Sequence, residues 1–213
     1  MKYEWRKQDK ELYLPKNTPT IINVPTMNYL MISGTGNPNS DDFKAAVEAL
    51  YTVSYAIKMA PKKQINIDGY FDYTVFPLEG VWDLDEEGII KQQNGVLISE
   101  LKNHFIFTVM IRQPEFVTSK LVEQIKSMQF QAKKNKTIKE VTLHTIEEKL
   151  CCQMMHLGPY DDEPKSFDLM EKHCDNLGYQ RKSKAHKEIY ISNPQRVAPE
   201  KLKTVIRFSI KNH

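Results

Sequence analysis

The chain of 213 residues has little of what marks several common protein classes. It holds three cysteines, Cys151, Cys152 and Cys174, and their odd number and spacing fit neither a disulfide framework nor a zinc site. We interpret them as small buried hydrophobic residues. No apolar run is long enough to cross a bilayer, and the polar, charged start lacks the apolar core of a signal peptide. We therefore expect a cytoplasmic protein that does not bind a membrane.

The motifs of cofactor-dependent and nucleophilic enzymes are also missing. No two histidines have the spacing of metal ligands on a helix, and no Cys-x-x-Cys pair occurs. The glycines at 34 and 36 lead into a loop, and a lone Gly-x-Gly is weak evidence for a phosphate site. There is no Gly-x-Ser-x-Gly elbow. A formal charge of +3 is too small for the basic face of a nucleic-acid-binding protein. We predict no metal, no cofactor and no direct contact with nucleic acid.

What the chain does contain is one pattern that occurs twice. From about residue 18 to 113 the periodicity predicts a strand, a helix and two strands, and residues 138–213 repeat this order. An amphipathic helix within 114–137 connects the halves. We predict a single α+β domain, 1–213, in which the two units form one mainly antiparallel sheet. Both long helices would then lie on one face, with a ligand groove between them.

A strand near the end of the chain carries the first candidate for chemistry. In "HKEIYISNP", alternation places Glu188, Tyr190 and Ser192 on one face. This face would be solvent-exposed in one interpretation, because glutamate and tyrosine are both comfortable there. In the other, Glu188 lies in a partly dry groove. There it would pair with a cationic or polar ligand, or act as a general base with a raised pKa.

Aromatic residues are concentrated in "YFDYTVFPLEGVWD", residues 70–83. Most of these rings are expected in the core. Trp82 follows Gly80 on a turn or strand edge, where a large ring more often covers a ligand or a seam between lobes. Tyr51 and Tyr55 lie one turn apart on the first helix, beside its apolar face. They would line the groove wall, or they would simply be half-buried at the flank of the helix.

The stretch "MMHLGPYDDEP", residues 154–164, ends a strand and begins a helix. Gly158 and Pro159 are strong chain breakers, and an aspartate before Pro164 is typical of a helix start. On local grounds this corner is only a turn, and Tyr160 is its last residue. His156 is expected to be a packed, hydrogen-bonded strand histidine.

Three pieces of the last third of the chain, "HLGPYDDEPKSFDLM", "KEIYISNP" and "KTVIRFSI", resemble the second repeat of the GyrI-like small-molecule-binding family. The resemblance implies two βαββ modules of the SHS2 type with a groove between their helices. It also implies that Glu188 faces this groove and that Tyr160 lies at its mouth as a wall residue. The chain shows no helix-turn-helix of the kind that many relatives use in transcription control, so we do not expect a regulator.

The first half, with "YFDYTVFPLEGVWD", resembles a stand-alone subgroup that hydrolyses cyclopropane-bearing DNA-alkylating compounds in an aromatic cage. We assign the cage from position and alternation to Trp82, Tyr73, Tyr55, Phe107 and Tyr190. Glu188 would orient or deprotonate a water molecule, and a tyrosine hydroxyl, Tyr190 or Tyr55, would stabilise the developing phenolate.

The expected ligands are planar hydrophobic or cationic small molecules, and the expected assembly is a monomer or a weak dimer. Two alternatives stay open. One is a protein that sequesters drugs without turnover, and the other is an interaction protein that modulates gyrase.

Overall fold

The computed structural model describes residues 2–213 and has six α-helices and nine β-strands. The helices are α1 (Trp5–Gln8), α2 (Lys10–Tyr13), α3 (Asp41–Lys58), α4 (Glu86–Gln93), α5 (Ser119–Lys133) and α6 (Glu163–Asn176). The strands are β1 (Thr20–Val24), β2 (Met27–Thr35), β3 (Leu78–Leu84), β4 (Phe105–Gln113), β5 (Thr142–Ile146), β6 (Lys149–Leu157), β7 (Tyr179–Arg181), β8 (His186–Tyr190) and β9 (Lys203–Asn212). None of the helices in this described part of the chain is long and apolar enough to cross a membrane.

Eight strands form one antiparallel sheet in the order β1-β6-β9-β8-β3-β4-β2-β5, and β7 pairs with the end of β9 beyond β8. This confirms the predicted α+β class with a mainly antiparallel sheet. The two halves of the sheet are arranged alike when each is followed from its outer edge to the centre. One half runs β1, β6, β9, β8, and the other runs β5, β2, β4, β3. The two units meet at β3 and β8, which pair at the centre of the sheet.

Two predicted long strands are each divided in the structure. The stretch 21–36, rich in β-branched and large apolar residues, predicts one strand, but the structure breaks it at Pro25, which has no amide hydrogen to donate to a sheet. β1 therefore leaves its own unit and pairs with β6 of the other. The stretch 141–160 predicts a second long strand with a bend at its two glutamates. The structure breaks it there, at Glu147 and Glu148, and β5 crosses over to pair with β2.

Helices α3 and α6 lie on one face of the sheet. Ser40 caps α3 by accepting a hydrogen bond from the amide of Phe43, at 3.2 Å. The buried side of α3 packs on β2 and β4, while Met170 and Cys174 of α6 pack on β6 and β9. Gly178, with φ of +77°, lies just after the end of α6, where a glycine in the left-handed region commonly stops a helix. The connecting helix α5 packs against α3.

The opposite face is covered in part by α2, and α1 and α2 are short helices that the periodicity did not reveal. Tyr13 is buried, and its hydroxyl donates a hydrogen bond to Glu79 on β3, at 3.2 Å. Glu79 also forms an ion pair with Lys187 on β8, at 2.9 Å, and Lys187 pairs with Glu148. Lys187 and Glu79 are buried, and Glu148 is nearly so. The Glu79–Lys187 pair joins β3 to β8 on the face of the sheet opposite to α3 and α6.

Candidate functional site

A cavity of about 1890 Å³ lies between α3 and α6, above the central strands β3 and β8. Its long walls are the two helices. Its ends are closed by the β3–β4 connection, which contains α4, and by the β8–β9 connection. It is larger than the roughly 300–1,000 Å³ of an ordinary ligand pocket. Trp5, near the chain start, also contributes to the lining. The groove predicted between the helices is therefore present.

The floor of the cavity is set by the register of β3 and β8. Gly80 lies opposite Glu188 and Trp82 lies opposite His186. Because side chains alternate along a strand, Trp82, His186, Glu188 and Tyr190 all point towards the helices. This places an acid, an imidazole and two aromatic rings on one small area.

Gly80 provides the space in which two floor residues meet. The indole nitrogen of Trp82 donates a hydrogen bond to the hydroxyl oxygen of Tyr190, at 2.9 Å, across the top of this glycine. A Cβ atom at position 80 would lie 2.8 Å from that indole nitrogen and 3.2 Å from the hydroxyl oxygen. Here a glycine is required by close packing rather than by backbone conformation.

A second acid joins the floor from α6. Glu163 lies in the first turn of this helix, and only 5% of its surface is exposed. One carboxyl oxygen each from Glu163 and Glu188 and one ring nitrogen of His186 lie within 4.8 Å of one another. His186 Nε2 is 3.2 Å from Glu188 Oε1. The Oε1 atom of Glu163 is buried and has no hydrogen-bond partner among the described residues.

This environment changes the acidity of several groups. Burial, and next the negative charge of Glu188, raise the pKa of the Glu163 carboxyl well above its ordinary value. Burial and then Glu188 raise the pKa of Tyr190 well above its ordinary value and that of Tyr160 to about 12. Both tyrosines therefore keep their protons at neutral pH, and Glu163 favours its neutral form.

Two acids whose oxygens lie within 4.8 Å of one another repel when both are ionised, and a proton or a cation relieves this repulsion. A proton on Glu163 removes one of the two negative charges, which agrees with the direction in which the pKa of Glu163 is shifted. The arrangement on the floor is therefore that of an acid–base pair.

Five of the seven site residues predicted from the sequence line the cavity: Trp82, Tyr55, Tyr160, Glu188 and Tyr190. The ring of Tyr160 meets that of Tyr190 edge-on, with 6.0 Å between centroids. The ring centroid of Tyr55 lies 6.2 Å from that of Tyr51. Because Tyr55 is 53% exposed, it lies at the mouth of the cavity rather than on its floor.

The other two predicted cage residues do not line the cavity. Tyr73 is fully buried in a cluster with Phe71, Phe76 and Phe116. Phe107 is buried beneath the cavity wall, where its ring packs against Phe43 and Trp82. Position and alternation along a strand did not distinguish a ring in the lining from a ring one layer deeper.

The turn that ends β6 brings Tyr160 to the cavity. Gly158 has φ of +124°, which suits a glycine, and the chain then enters α6. His156 is buried and hydrogen-bonded, as predicted: Nδ1 lies 2.9 Å from Ser166 Oγ, and Nε2 lies 3.0 Å from the carbonyl oxygen of Pro159. These contacts hold the turn that carries Tyr160 against the start of α6.

Sequence reasoning missed Glu163, His186, Phe43 and Phe167, all of which line the cavity. An acid in a first helical turn beside a proline is the ordinary pattern of an exposed helix start, so Glu163 gave no signal of burial. His186 could have been found, because it shares the alternating face of Glu188 two residues away.

Comparisons with known proteins agree with this geometry. Residues 17–211 match the family described as GyrI-like small molecule binding domain. A structure from Listeria innocua described as a hydrolase is 32% identical, with a TM-score of 0.87, over 98% of this chain and 100% of that one. A second hydrolase from that organism is 34% identical, with a TM-score of 0.89, over 99% of this chain and 100% of that one.

A third Listeria innocua structure, described as an uncharacterized conserved protein, is 33% identical, with a TM-score of 0.89, over 98% of this chain and 100% of that one. The C-terminal domain of EcmrR is 13% identical with a TM-score of 0.54, so it shares the fold alone. No curated protein matches the chain.

Proposed function

Because this chain belongs to the family of GyrI-like small molecule binding domains, we propose that its cavity binds a planar, multi-ring organic compound and adds water to it. The observation that carries the proposal is the position of Glu188. Its carboxyl group lies on the floor of a large aromatic cavity, beside His186 and in a cluster with Glu163. The two Listeria innocua structures described as hydrolases support an enzyme of this general class.

The shape and lining support a ligand of several fused or linked rings. Phe43 and Phe167 face the cavity from opposite helices, while Trp82, Tyr160 and Tyr190 present rings from the sheet and the turn. Each well-placed pair of rings contributes about 0.5–1.5 kcal/mol beyond the burial of apolar area. A volume near 1890 Å³ accommodates a longer molecule than a single ring system.

The substrate class that we propose is a cyclopropane conjugated to a dienone, as in DNA-alkylating natural products. Water adds to the methylene carbon of the cyclopropane, and the carbon–carbon bond to the ring breaks. The released electron pair enters the dienone, which becomes a phenol. Glu188 accepts one proton from the water, and an acid on the floor supplies one to the carbonyl oxygen. The product is thus the substrate plus one water molecule.

A modest site suffices for this reaction because the strained ring is already activated. Glu188 is well placed to act on water, since it is largely buried yet contacts the cavity. A bound multi-ring ligand would displace water from the floor, which would strengthen the electrostatic effect of each charged group there. Removing a group that stabilises developing negative charge typically lowers the rate by about 10²–10³-fold.

A non-catalytic protein that sequesters planar cations is the second candidate. It is favoured by the same floor, because a carboxylate beneath aromatic rings attracts a delocalised cation. The two candidates differ in turnover, since a sequestering protein removes at most one equivalent of compound and releases it unchanged.

The deciding experiment is a multiple-turnover incubation with a synthetic spirocyclopropyl cyclohexadienone, with products followed by mass spectrometry. Wild type would be compared with Glu188→Gln and with Glu140→Gln, an exposed control outside the cavity lining. We expect ring-opened, water-added product in excess over protein for wild type and the control, and a loss of about 10²-fold or more for Glu188→Gln. Unchanged compound with wild type would overturn catalysis for this substrate class.

A further inference from the structure

We infer that Glu163 is the proton donor of this site and that it shares one proton with Glu188. The inference rests on the proposed function, because it assigns a role within the same reaction. Glu163 is 5% exposed, lines the cavity and leaves Oε1 without a partner. A buried, unpartnered carboxyl oxygen is costly, so such a group is expected to have a use.

Two cations of the cavity lining, Arg181 and Lys184, pair with Glu171 rather than with Glu163. Asp161 and Glu188 both repel a negative charge on this carboxyl, and Tyr160 and Tyr190 are neutral. His186, on β8, is in the same cluster, but its Nε2 atom already faces Glu188.

The wall formed by α3 does not change this balance. It contributes one side chain of each sign to the lining, Lys44 and Glu48. Both side chains are exposed to solvent on the surface of α3. A proton on Glu163 therefore makes its position within 4.8 Å of Glu188 favourable.

The sequence leaves Tyr190 and Tyr55 open as donors, and Tyr55 stands at the mouth of the cavity rather than on its floor. The oxygen of Tyr190 accepts the hydrogen bond from the Trp82 indole, at 2.9 Å, and burial and then the charge of Glu188 raise the pKa of Tyr190 well above its ordinary value. We therefore assign Tyr190 as a positioning residue, which lies on the same face of β8 as Glu188. This assignment leaves Glu163 as the acidic group on the floor with a proton to give to the ligand.

The proton count of the pair closes over one reaction cycle. Before the reaction Glu163 carries the proton and Glu188 is ionised. Glu163 protonates the carbonyl oxygen of the dienone, and Glu188 takes a proton from the attacking water. The pair then holds one proton on the other carboxyl. Transfer between the two contacting groups restores the starting state without any further reactant.

The kinetic test compares kcat against pH for wild type, Glu163→Gln, Glu188→Gln and Tyr190→Phe, with the spirocyclopropyl cyclohexadienone as substrate. Wild type should lose activity at high pH, where Glu163 is ionised. Glu163→Gln should lower kcat by about 10²–10⁴-fold and abolish the high-pH loss. Tyr190→Phe should keep that high-pH loss, since its role is to position Glu188.

The matched control is Asp162→Asn, which neutralises the neighbouring acid. Asp162 pairs with Lys165 at the surface and does not line the cavity. It should leave the high-pH loss of activity in place. A Glu163→Gln protein with the wild-type rate and the wild-type high-pH limb would overturn the inference. So would activity that is lost with a chelator and restored by Zn²⁺ or Mn²⁺, since a cation would then bridge the carboxyls.

A measurement without substrate separates this inference from the proposed function. In protein labelled with ¹³C at glutamate carboxyl carbons, Glu163 should titrate well above 4.5, and in Glu188→Gln its pKa should fall. Titration of Glu163 near its ordinary pKa would overturn the shared proton, whatever the activity. If no variant or wild type gives product while Glu163 titrates high, the hydrolase proposal fails and the shared proton stands.

Discussion

Trp82 and Tyr190 are 108 residues apart in the chain, yet the indole of the first donates a 2.9 Å hydrogen bond to the hydroxyl of the second. The bond crosses the boundary between the two units of the sheet, because Trp82 lies on β3 and Tyr190 lies on β8. It connects the aromatic lining to the acid on the floor. The arrangement of the floor therefore depends on the correct pairing of the two halves.

We predict that Trp82→Phe lowers kcat by up to about tenfold with little loss of stability. The variant keeps a ring but removes the donor, and one hydrogen bond is worth about 0.5–1.5 kcal/mol. Steady-state kinetics on Trp82→Phe, Tyr190→Phe and the double variant would measure the coupling. If the two single effects simply add, the bond does not carry the effect.

The shared proton predicts how stability changes with pH. Glu163 in the unfolded chain releases its proton near its ordinary pKa of 4.5, whereas the folded protein retains it to higher pH. Between these values the folded state binds more protons, so its stability is greatest at low pH and falls as pH rises. Glu163→Gln has no proton to release at this position and escapes the loss.

The Tm of Glu163→Gln should therefore rise relative to that of wild type as pH increases from about 4.5 towards the alkaline side. We expect the difference to grow by about 2–4 °C or more, the shift that ~1 kcal/mol causes in a chain of this length. Thermal unfolding in a series of buffers would measure it. A difference that stays constant with pH would speak against a raised pKa of Glu163.

Lys187 should be essential to stability rather than to chemistry. It is buried and pairs with Glu79 and Glu148 on the face opposite the cavity. Lys187→Met leaves two buried carboxylates without this partner, and breaking a buried pair in this way costs about 3–5 kcal/mol. Urea unfolding would measure the loss, with the exposed Lys211→Met as the control. An equal stability of both variants would contradict the prediction.

Tyr73 provides a test of which rings form the cage. Its hydroxyl is buried without a hydrogen-bond partner in the described structure, and its ring does not line the cavity. Tyr73→Phe should leave ligand affinity unchanged and keep or raise stability by up to about 1 kcal/mol. Tyr160→Ala should weaken binding, because that ring faces the cavity. Isothermal titration of both variants would show the contrast, and weaker binding by Tyr73→Phe would place it in the cage.

The amino-acid sequence by itself determined the main elements of the two repeated units and their order. Apolar periodicity marked α3, α5 and α6, and alternation marked the strand that carries Glu188, because each pattern reflects which side of one element is buried. Trp82 was expected on a turn or strand edge, but it lies within β3 at the centre of the sheet. The duplication predicted that the two units join in one sheet, and this arrangement predicted a groove between the two long helices. The predicted strand ran through Pro25, so the sequence revealed neither this break nor the exchange of β1 and β5 between the units.

Only the tertiary structure decided the chemistry of the floor. Glu163 looks like an ordinary acid at a helix start, and Tyr73 looks like a cage residue, until packing buries the first at the cavity and the second in the core. Local patterns report the exposure of a residue along its own helix or strand. The contact between Glu163 and Glu188 depends instead on how α6 and β8 approach each other, a distance that no local pattern contains.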